Sequence, residues 1–192
     1  MLNVGILLYP NVEVLDFAGP FEVFSVASEL YDHTLCDVFT ISEDATLIRS
    51  VNGLQVQPDF TFENNPHIDI LIIPGGVGAR KQIANKTALD WVKKTYMASK
   101  ITFSVCSGAL LLGKLGLLDN VACTTHHEVI SVLQNIAPTA HVDIDKRFID
   151  NGKIMTSAGI SAGIDLSLHI VKKLFGSDVK EKTVRYMEYI EK

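Results

Sequence analysis

Ile101-Thr-Phe-Ser-Val105-Cys106-Ser107-Gly108 is the stretch on which the fold turns. Ile101–Val105 reads as a strand, and a helical pattern opens at Ser107 and runs to Leu118 with no loop between the two. A short run without strict alternation suits a strand covered on both faces. A strand that passes straight into a helix needs a sharp, strained turn, and Gly108 lets the helix approach the strand closely. This is the logic of a nucleophile elbow. It places the sulfur of Cys106 at the amino end of a helix, where the dipole and free N–H groups favour thiolate. The competing reading is a small core hydrophobe, which is what most unpaired cysteines are.

Outward from the elbow, strands and helices alternate. Asn3–Leu8, Leu35–Ser42 and Asp69–Ile73 read as further strands, and Val121–Thr124, His141–Ile149 and Lys153–Thr156 as shorter ones. Helices are expected over Phe17–Tyr31, Lys86–Ser99, His127–Ile136, Ile160–Phe175 and Asp178–Ile190, with Gly176 as a C-cap. Pro20 fits the first turn of its helix, where no backbone donor is lost. Asn52-Gly53 centres a hairpin over Thr46–Pro58. Such alternation builds a mostly parallel sheet with helices on both faces. Ligands of such sheets bind outside the carboxyl ends of the strands, near a topological switch point. Three strand-end loops stand out there: Tyr9–Asp16, Pro74–Gly78 and the junction at Cys106.

The chain has 192 residues, 47% of them hydrophobic and 20% charged, and residues 1–192 read as one domain able to bury a core. That balance excludes disordered and fibrous classes. A net charge of -5 argues against a nucleic-acid footprint. The charges of Ser177–Lys192 cancel, as on a solvated helix face. Ile101–Gly113 falls well short of the roughly 20 apolar residues that cross a membrane. The first basic residue is Arg49, so the basic region of a secretory signal is missing. Cys36, Cys106 and Cys123 form neither a disulfide framework nor a C-x-x-C pair, and a reducing cytoplasm is the expected compartment.

Five further features bear on chemistry or packing. Pro74-Gly75-Gly76-Val77-Gly78 is a strand-end turn whose amides, paired with Cys106, would supply half of an oxyanion hole. Asp16 stands where the chain enters a helix, either as its N-cap or as a carboxyl group pointing into a site. Glu22 is a second buried acid or an exposed helical Glu. In Thr124-Thr125-His126-His127, adjacent histidines cannot face one point, so a two-His metal site is not expected, but one of them can approach Cys106. The small residues of Ser157–Gly163 suit close backbone packing or a helix crossing in a dimer.

These segments together resemble the ThiJ/PfpI family, which has the class I glutamine amidotransferase-like fold. The resemblance rests on Leu15-Asp16-Phe17-Ala18-Gly19-Pro20-Phe21-Glu22-Val23-Phe24, Pro74-Gly75-Gly76, Val105-Cys106-Ser107-Gly108, Thr124-Thr125-His126 and Ala158–Asp165, and it covers essentially the whole chain. It implies a flavodoxin-like three-layer sandwich. The Asp16 segment looks most like the isonitrile hydratase branch and the amino-terminal halves of AraC-type regulators. Such regulators carry a helix-turn-helix half for which the residues after Phe175 are too few, so DNA binding is not expected. Protease-like members place a His directly after the nucleophile, where this chain has Ser107. Deglycase and glyoxalase members place a Glu where Asp16 stands and a His that corresponds to His126.

The resemblance implies a cysteine-dependent enzyme acting on a small molecule, as a homodimer, with no metal, organic cofactor, nucleic acid or membrane. The reading it favours is hydration of an isonitrile to an N-substituted formamide. Cys106 attacks, Asp16 shares and delivers a proton, and backbone amides at Gly75, Gly76 and Ser107 stabilise developing charge. The alternatives are glyoxalase or deglycase chemistry with His126 moving protons, an amidase-like enzyme, and a non-enzymatic redox-sensing or ligand-binding domain.

Overall fold

The apolar runs settle in the middle of a seven-stranded sheet. The computed structural model describes residues 1–190; Glu191 and Lys192, the end of the expected span 1–192, lie outside the described residues. In order, the chain forms β1 (Leu2–Leu7), α1 (Val14–Glu29), β2 (Cys36–Ser42), β3 (Ile48–Arg49), β4 (Gln55–Val56), β5 (Phe60–Thr61) and β6 (Ile70–Ile73). There follow α2 (Ala79–Gln82), α3 (Lys86–Ala98), β7 (Ile101–Val105), α4 (Ala109–Lys114), β8 (Ala122–Cys123), α5 (Ile130–Ile136) and β9 (His141–Val142). The chain closes with β10 (Phe148–Asp150), β11 (Ile154–Ser157), α6 (Ala162–Phe175) and α7 (Ser177–Tyr186).

Strand order is β10-β11-β7-β6-β1-β2-β5, parallel except where β10 meets β11. Every residue of β6 and β7 is buried, as two-sided cover requires. Helices α1, α6 and α7 pack on one another as one layer, and α2 to α5 form the other. The result is the expected three-layer α/β architecture. Phe24 of α1 and Phe103 of β7 are both fully buried, with ring centroids 6.5 Å apart, and fasten helix to sheet. Burying each such ring contributes about 2–3 kcal/mol.

Several elements depart from the sequence pattern for identifiable reasons. Helix α1 starts at Val14 behind Glu13, so Asp16 lies inside it and is not its N-cap. Pro20 therefore sits in the second turn, where it cannot donate to the Asp16 carbonyl. The helix expected over Ser107–Leu118 begins with a 3-10 turn at Cys106–Gly108 and stops at Lys114, just before Gly116 at φ 70. The strand expected over His141–Ile149 is interrupted: β9 pairs with β8 and β10 with β11, so the residues between them change sheets. The last helix ends at Tyr186, short of Ile190. The hairpin around Asn52-Gly53 forms as read, with Ile48 opposite Val56, and Gly176 ends α6 at φ 96. Strand β5 and helix α2 carry no sequence signal of their own.

Gly108 fixes how closely the elbow approaches the sheet. Its backbone is helical, so alanine meets no conformational conflict there. A Cβ, however, would lie 2.1 Å from the Ile73 carbonyl oxygen and 2.9 Å from that of Pro74. Gly108→Ala is expected to lower the unfolding free energy by about 3 kcal/mol or more in urea titrations, through overpacking alone. Wild-type stability would show that the junction has slack.

Candidate active site

The chain leaves β1 towards β2 on one side and returns as β6 on the other, so the loops after β1 and β6 diverge and leave a crevice. The turn after β7 lies beside them because β7 pairs with β6. A fourth loop, Ala158–Ser161, arrives from β11, whose Ser157 is in register with Val105. The three loops marked in the sequence thus meet, together with one whose small residues suit close packing or a helix crossing in a dimer.

Cys106 makes the turn with φ 57, while Val105 before it is extended. A non-glycine residue held there costs about 1–3 kcal/mol, which its neighbours must offset. The Cys106 N–H donates to the Ala158 carbonyl at 3.2 Å, and the Cys106 carbonyl accepts from the Thr125 hydroxyl at 2.8 Å. Backbone on both sides of the sulfur is therefore tied.

Asp16 reaches into this junction from α1 and has no exposed surface. Its Oδ2 accepts the Gly75 N–H at 2.9 Å. Its Oδ1 has no hydrogen-bond partner among the described residues. The carboxyl and the Cys106 thiol face each other, short of a formed hydrogen bond, and each shifts the other's titration. Burial pushes the Asp16 carboxyl up to about 7, with the Glu13 charge adding to it and the Gly75 amide and the thiol opposing. Burial first, and then the Asp16 charge, pushes the Cys106 thiol up to about 12, although the amides of Ser107 and Ile160 aim at the sulfur and oppose the rise. The expectation that a helix terminus favours thiolate is corrected: desolvation and a neighbouring acid outweigh it. Two acids share the pocket and hold protons between them as a pair.

Tyr9, which no sequence signal singled out, completes the support. Its buried hydroxyl donates to the carbonyls of Pro74 at 2.5 Å and Gly75 at 3.2 Å. Burial, and then the charges of Asp16 and Cys106, hold its pKa well above the ordinary value, so it remains a neutral donor that pins the loop. Gly75 and Gly76 play a different part from the one expected. Gly75 N–H is committed to Asp16, and Gly76 N–H donates to Ser107 Oγ at 2.9 Å. Neither amide is free for an oxyanion, and the donors aimed at the sulfur are Ser107 and Ile160. The Ser107 hydroxyl also donates to the Gly76 carbonyl at 3.1 Å, which locks the elbow to the β6 loop. A Cβ on Gly75 would meet the Ser107 N at 2.5 Å, so this contact needs glycine.

A cavity of about 320 Å³ opens over the sulfur, lined by Cys106, Ser107, His126, Ile160, Val77 and Arg80 among others. The His126 Nδ1 accepts the Glu128 N–H at 3.2 Å, so the ring's other nitrogen carries the proton. Gly159 makes room for this ring: a Cβ there would lie 2.2 Å from His126 Cδ2. Close packing therefore accounts for Gly159, and equally for Gly163 against Val105. Glu22 is exposed on α1 and takes no part. Cys36 and Cys123 are buried away from the cavity, and burial raises each thiol to about 11. Among the described residues no helix is long and apolar enough to cross a membrane.

Fold and site define an α/β protein with a buried cysteine–aspartate pair at a strand–helix elbow. Residues 3–173 match the DJ-1/PfpI family, and the chain belongs to it. It is 31% identical over 188 residues to an isonitrile hydratase from Pseudomonas putida, covering 98% of this chain and 78% of that one. It is 27% identical over 177 residues to the HTH-type transcriptional regulator GbdR of Pseudomonas aeruginosa, where it spans 48% of the regulator's length and 92% of its own. The crystal structure of a ThiJ/PfpI family protein from Pseudomonas syringae superposes with a TM-score of 0.89 at 25% identity, covering 100% of this chain and 76% of that one.

The acid pair has a signature in stability. The Asp16 pKa is raised on folding from 3.8 to about 7. Its contribution is therefore fully present below pH 3.8 and lost as pH rises through 7. Asp16→Asn removes that loss. The variant is expected to match the wild type at pH 4 and to be more stable at pH 8, by at most about 4 kcal/mol in denaturant titrations. Without the neighbouring charge, Cys106 should also alkylate faster at pH 8. A variant that is less stable at pH 8, with a slower thiol, would contradict the pairing.

Proposed function

We propose that the protein is a lyase that hydrates small isonitriles to N-substituted formamides. The observation that carries this reading is the buried Asp16 carboxyl, with its Oδ1 unpartnered, facing the Cys106 thiol. An isonitrile offers a terminal carbon that takes a nucleophile and a proton at one atom, and this pair supplies both from one side.

The proton of Cys106 passes to Asp16 as the sulfur bonds to the terminal carbon of R–N≡C. Asp16 then delivers that proton to the same carbon, which leaves the thioimidate R–N=CH–S–Cys106. A water molecule gives a proton to Asp16 and adds its oxygen to the carbon. Asp16 passes that proton to the nitrogen, the C–S bond breaks as Asp16 relays the hydroxyl proton to the departing sulfur, and R–NH–CHO leaves with thiol and carboxylate restored. The amides of Ser107 and Ile160 stabilise charge on the sulfur, and Ser107 Oγ holds the β6 loop in place. The carboxyl's pKa of about 7 suits a group that both gives and takes a proton near neutral pH.

A second reading rests on His126, which lines the same cavity and presents a protonated ring nitrogen. In glyoxalase or deglycase chemistry Cys106 would attack a carbonyl and His126 would move the proton. Turnover of an alkyl or aryl isonitrile, compared with methylglyoxal, separates the two. Activity on neither points to a ligand-binding or redox role.

With an isonitrile, Cys106→Ala is expected to lower kcat by at least about 10³-fold with the fold intact. Asp16→Asn is expected to lower it by about 10²-fold or more, because an amide supplies no acidic proton. Near-wild-type kcat in either variant would defeat the mechanism. We further propose that the active species is a cytoplasmic homodimer, on the family resemblance. Light scattering at micromolar protein should then give twice the mass of the chain, and a monomer mass would refute it.

A further inference from the structure

The loop Ala158–Ser161 is held from outside the cavity. It passes through Ile160 at φ 50, a conformation that a β-branched residue keeps only when its surroundings impose it. On the inner side, the Ala158 carbonyl accepts the Cys106 N–H at 3.2 Å. On the outer side stands Arg147, in the segment that leads into β10. Its carbonyl accepts the Ala158 N–H at 2.8 Å. Its guanidinium donates to Asp165 Oδ2 through Nε at 2.6 Å and again through Nη2, and Nη2 also reaches Ser161 Oγ at 3.5 Å. Asp165 lies in the first turn of α6 and is 9% exposed. Its remaining oxygen accepts the Tyr189 hydroxyl at 2.8 Å. One guanidinium thus ties the loop to the helix that follows it, and a tyrosine beyond α7 braces the carboxylate.

We propose that Arg147 is a positioning residue for Cys106: its carbonyl holds the Ala158 N–H while its guanidinium links Ser161 to Asp165, braced by Tyr189, and together they hold the strained turn whose Ala158 carbonyl accepts the Cys106 N–H. A planar guanidinium with several donors can serve Asp165 and Ser161 together, whereas an ammonium is a single point of charge. Without the bridge, Ile160 relaxes towards negative φ and its amide turns away. The sulfur then loses a backbone donor that opposes the rise of its pKa. The proposal rests on Cys106 being the reactive thiol of the proposed function, but not on the substrate being an isonitrile.

The test is the iodoacetamide alkylation rate of each cysteine between pH 7 and 10, followed by peptide mass mapping. Arg147→Met should slow Cys106 roughly tenfold at every pH in that range, with the rates of Cys36 and Cys123 unchanged. Arg147→Lys should restore part of the rate. Tyr189→Phe, which removes one hydroxyl, should slow Cys106 by about two- to threefold and keeps the test open if Arg147→Met does not fold. A merely structural role predicts the opposite direction, since a loosened fold exposes all three thiols and speeds them together. That outcome, or an unchanged Cys106 rate in the variants that fold, would overturn the proposal. Where isonitrile turnover is measurable, kcat should fall with KM unchanged. Where it is absent the substrate reading fails, and the alkylation rates still decide the role of Arg147.

Discussion

A carboxyl group with no exposed surface must receive all its partners from the protein, and Asp16 receives one. The Gly75 amide satisfies Oδ2, while Oδ1 is left without a hydrogen-bond partner among the described residues, in a carboxyl that shares its pocket with the Cys106 thiol. Much of the surrounding architecture serves that arrangement. Helix α1 has to start early enough for Asp16 to point inward. The β6 loop has to present Gly75 with no side chain in the way, because a Cβ would lie 2.9 Å from the Asp16 carboxylate. Tyr9 has to pin the same loop from below. Ser107 has to occupy the Gly76 amide and carbonyl so that the loop and the elbow move as one body. Each contact joins segments that follow neighbouring strands, α1 and the loop after β1, the loop after β6 and the turn after β7, so the parallel sheet is what makes the pair possible.

The same arrangement explains why two backbone outliers persist. Cys106 and Ile160 both have positive φ, and neither is glycine. They lie at the ends of adjacent strands, with Ser157 in register with Val105, so their turns are hydrogen-bonded to each other through Ala158. Strain of this kind lasts only where packing leaves no alternative. At Cys106 the alternative is removed by Gly108 pressed onto the Ile73 carbonyl. At Ile160 it is removed by α6 behind the loop and Arg147 outside it.

The central sheet was legible because strands buried on both faces leave a plain mark, and the elbow because no loop separates strand from helix. The depth of Asp16 was not. Its reading turned on where α1 starts, and a shift of a few residues separates an N-cap from an interior position. Tyr9 gave no signal, since one tyrosine after a strand is ordinary and its role depends on a loop 65 residues away. Gly75 and Gly76 read correctly as a tight strand-end turn. Which groups their amides would meet depended on Asp16 and Ser107 arriving from two other strands. Ile160 was hidden for the opposite reason: β-branched residues are poor guides to positive φ, so local sequence argues against the conformation that long-range contacts impose. Strand β5 and the break between β9 and β10 are likewise set by pairing partners rather than by pattern.

The buried pair sets stability against reactivity. A thiol pushed up to about 12 is a poor nucleophile at rest, and a carboxyl pushed up to about 7 is only half ionised near neutral pH. Taken singly, each group looks detuned. Taken together, they complement each other, because the carboxyl nearest in acidity to the medium is the one placed to take the proton from the sulfur. Under the proposed function the thiolate forms only as it attacks, inside a cavity where the amides of Ser107 and Ile160 favour its charged form. A permanently ionised sulfur would be open to oxidants and alkylating agents between turnovers. On the proposed function, holding the proton in the pair keeps the thiol quiet until a substrate fills the cavity, while the raised carboxyl lowers fold stability at neutral and alkaline pH.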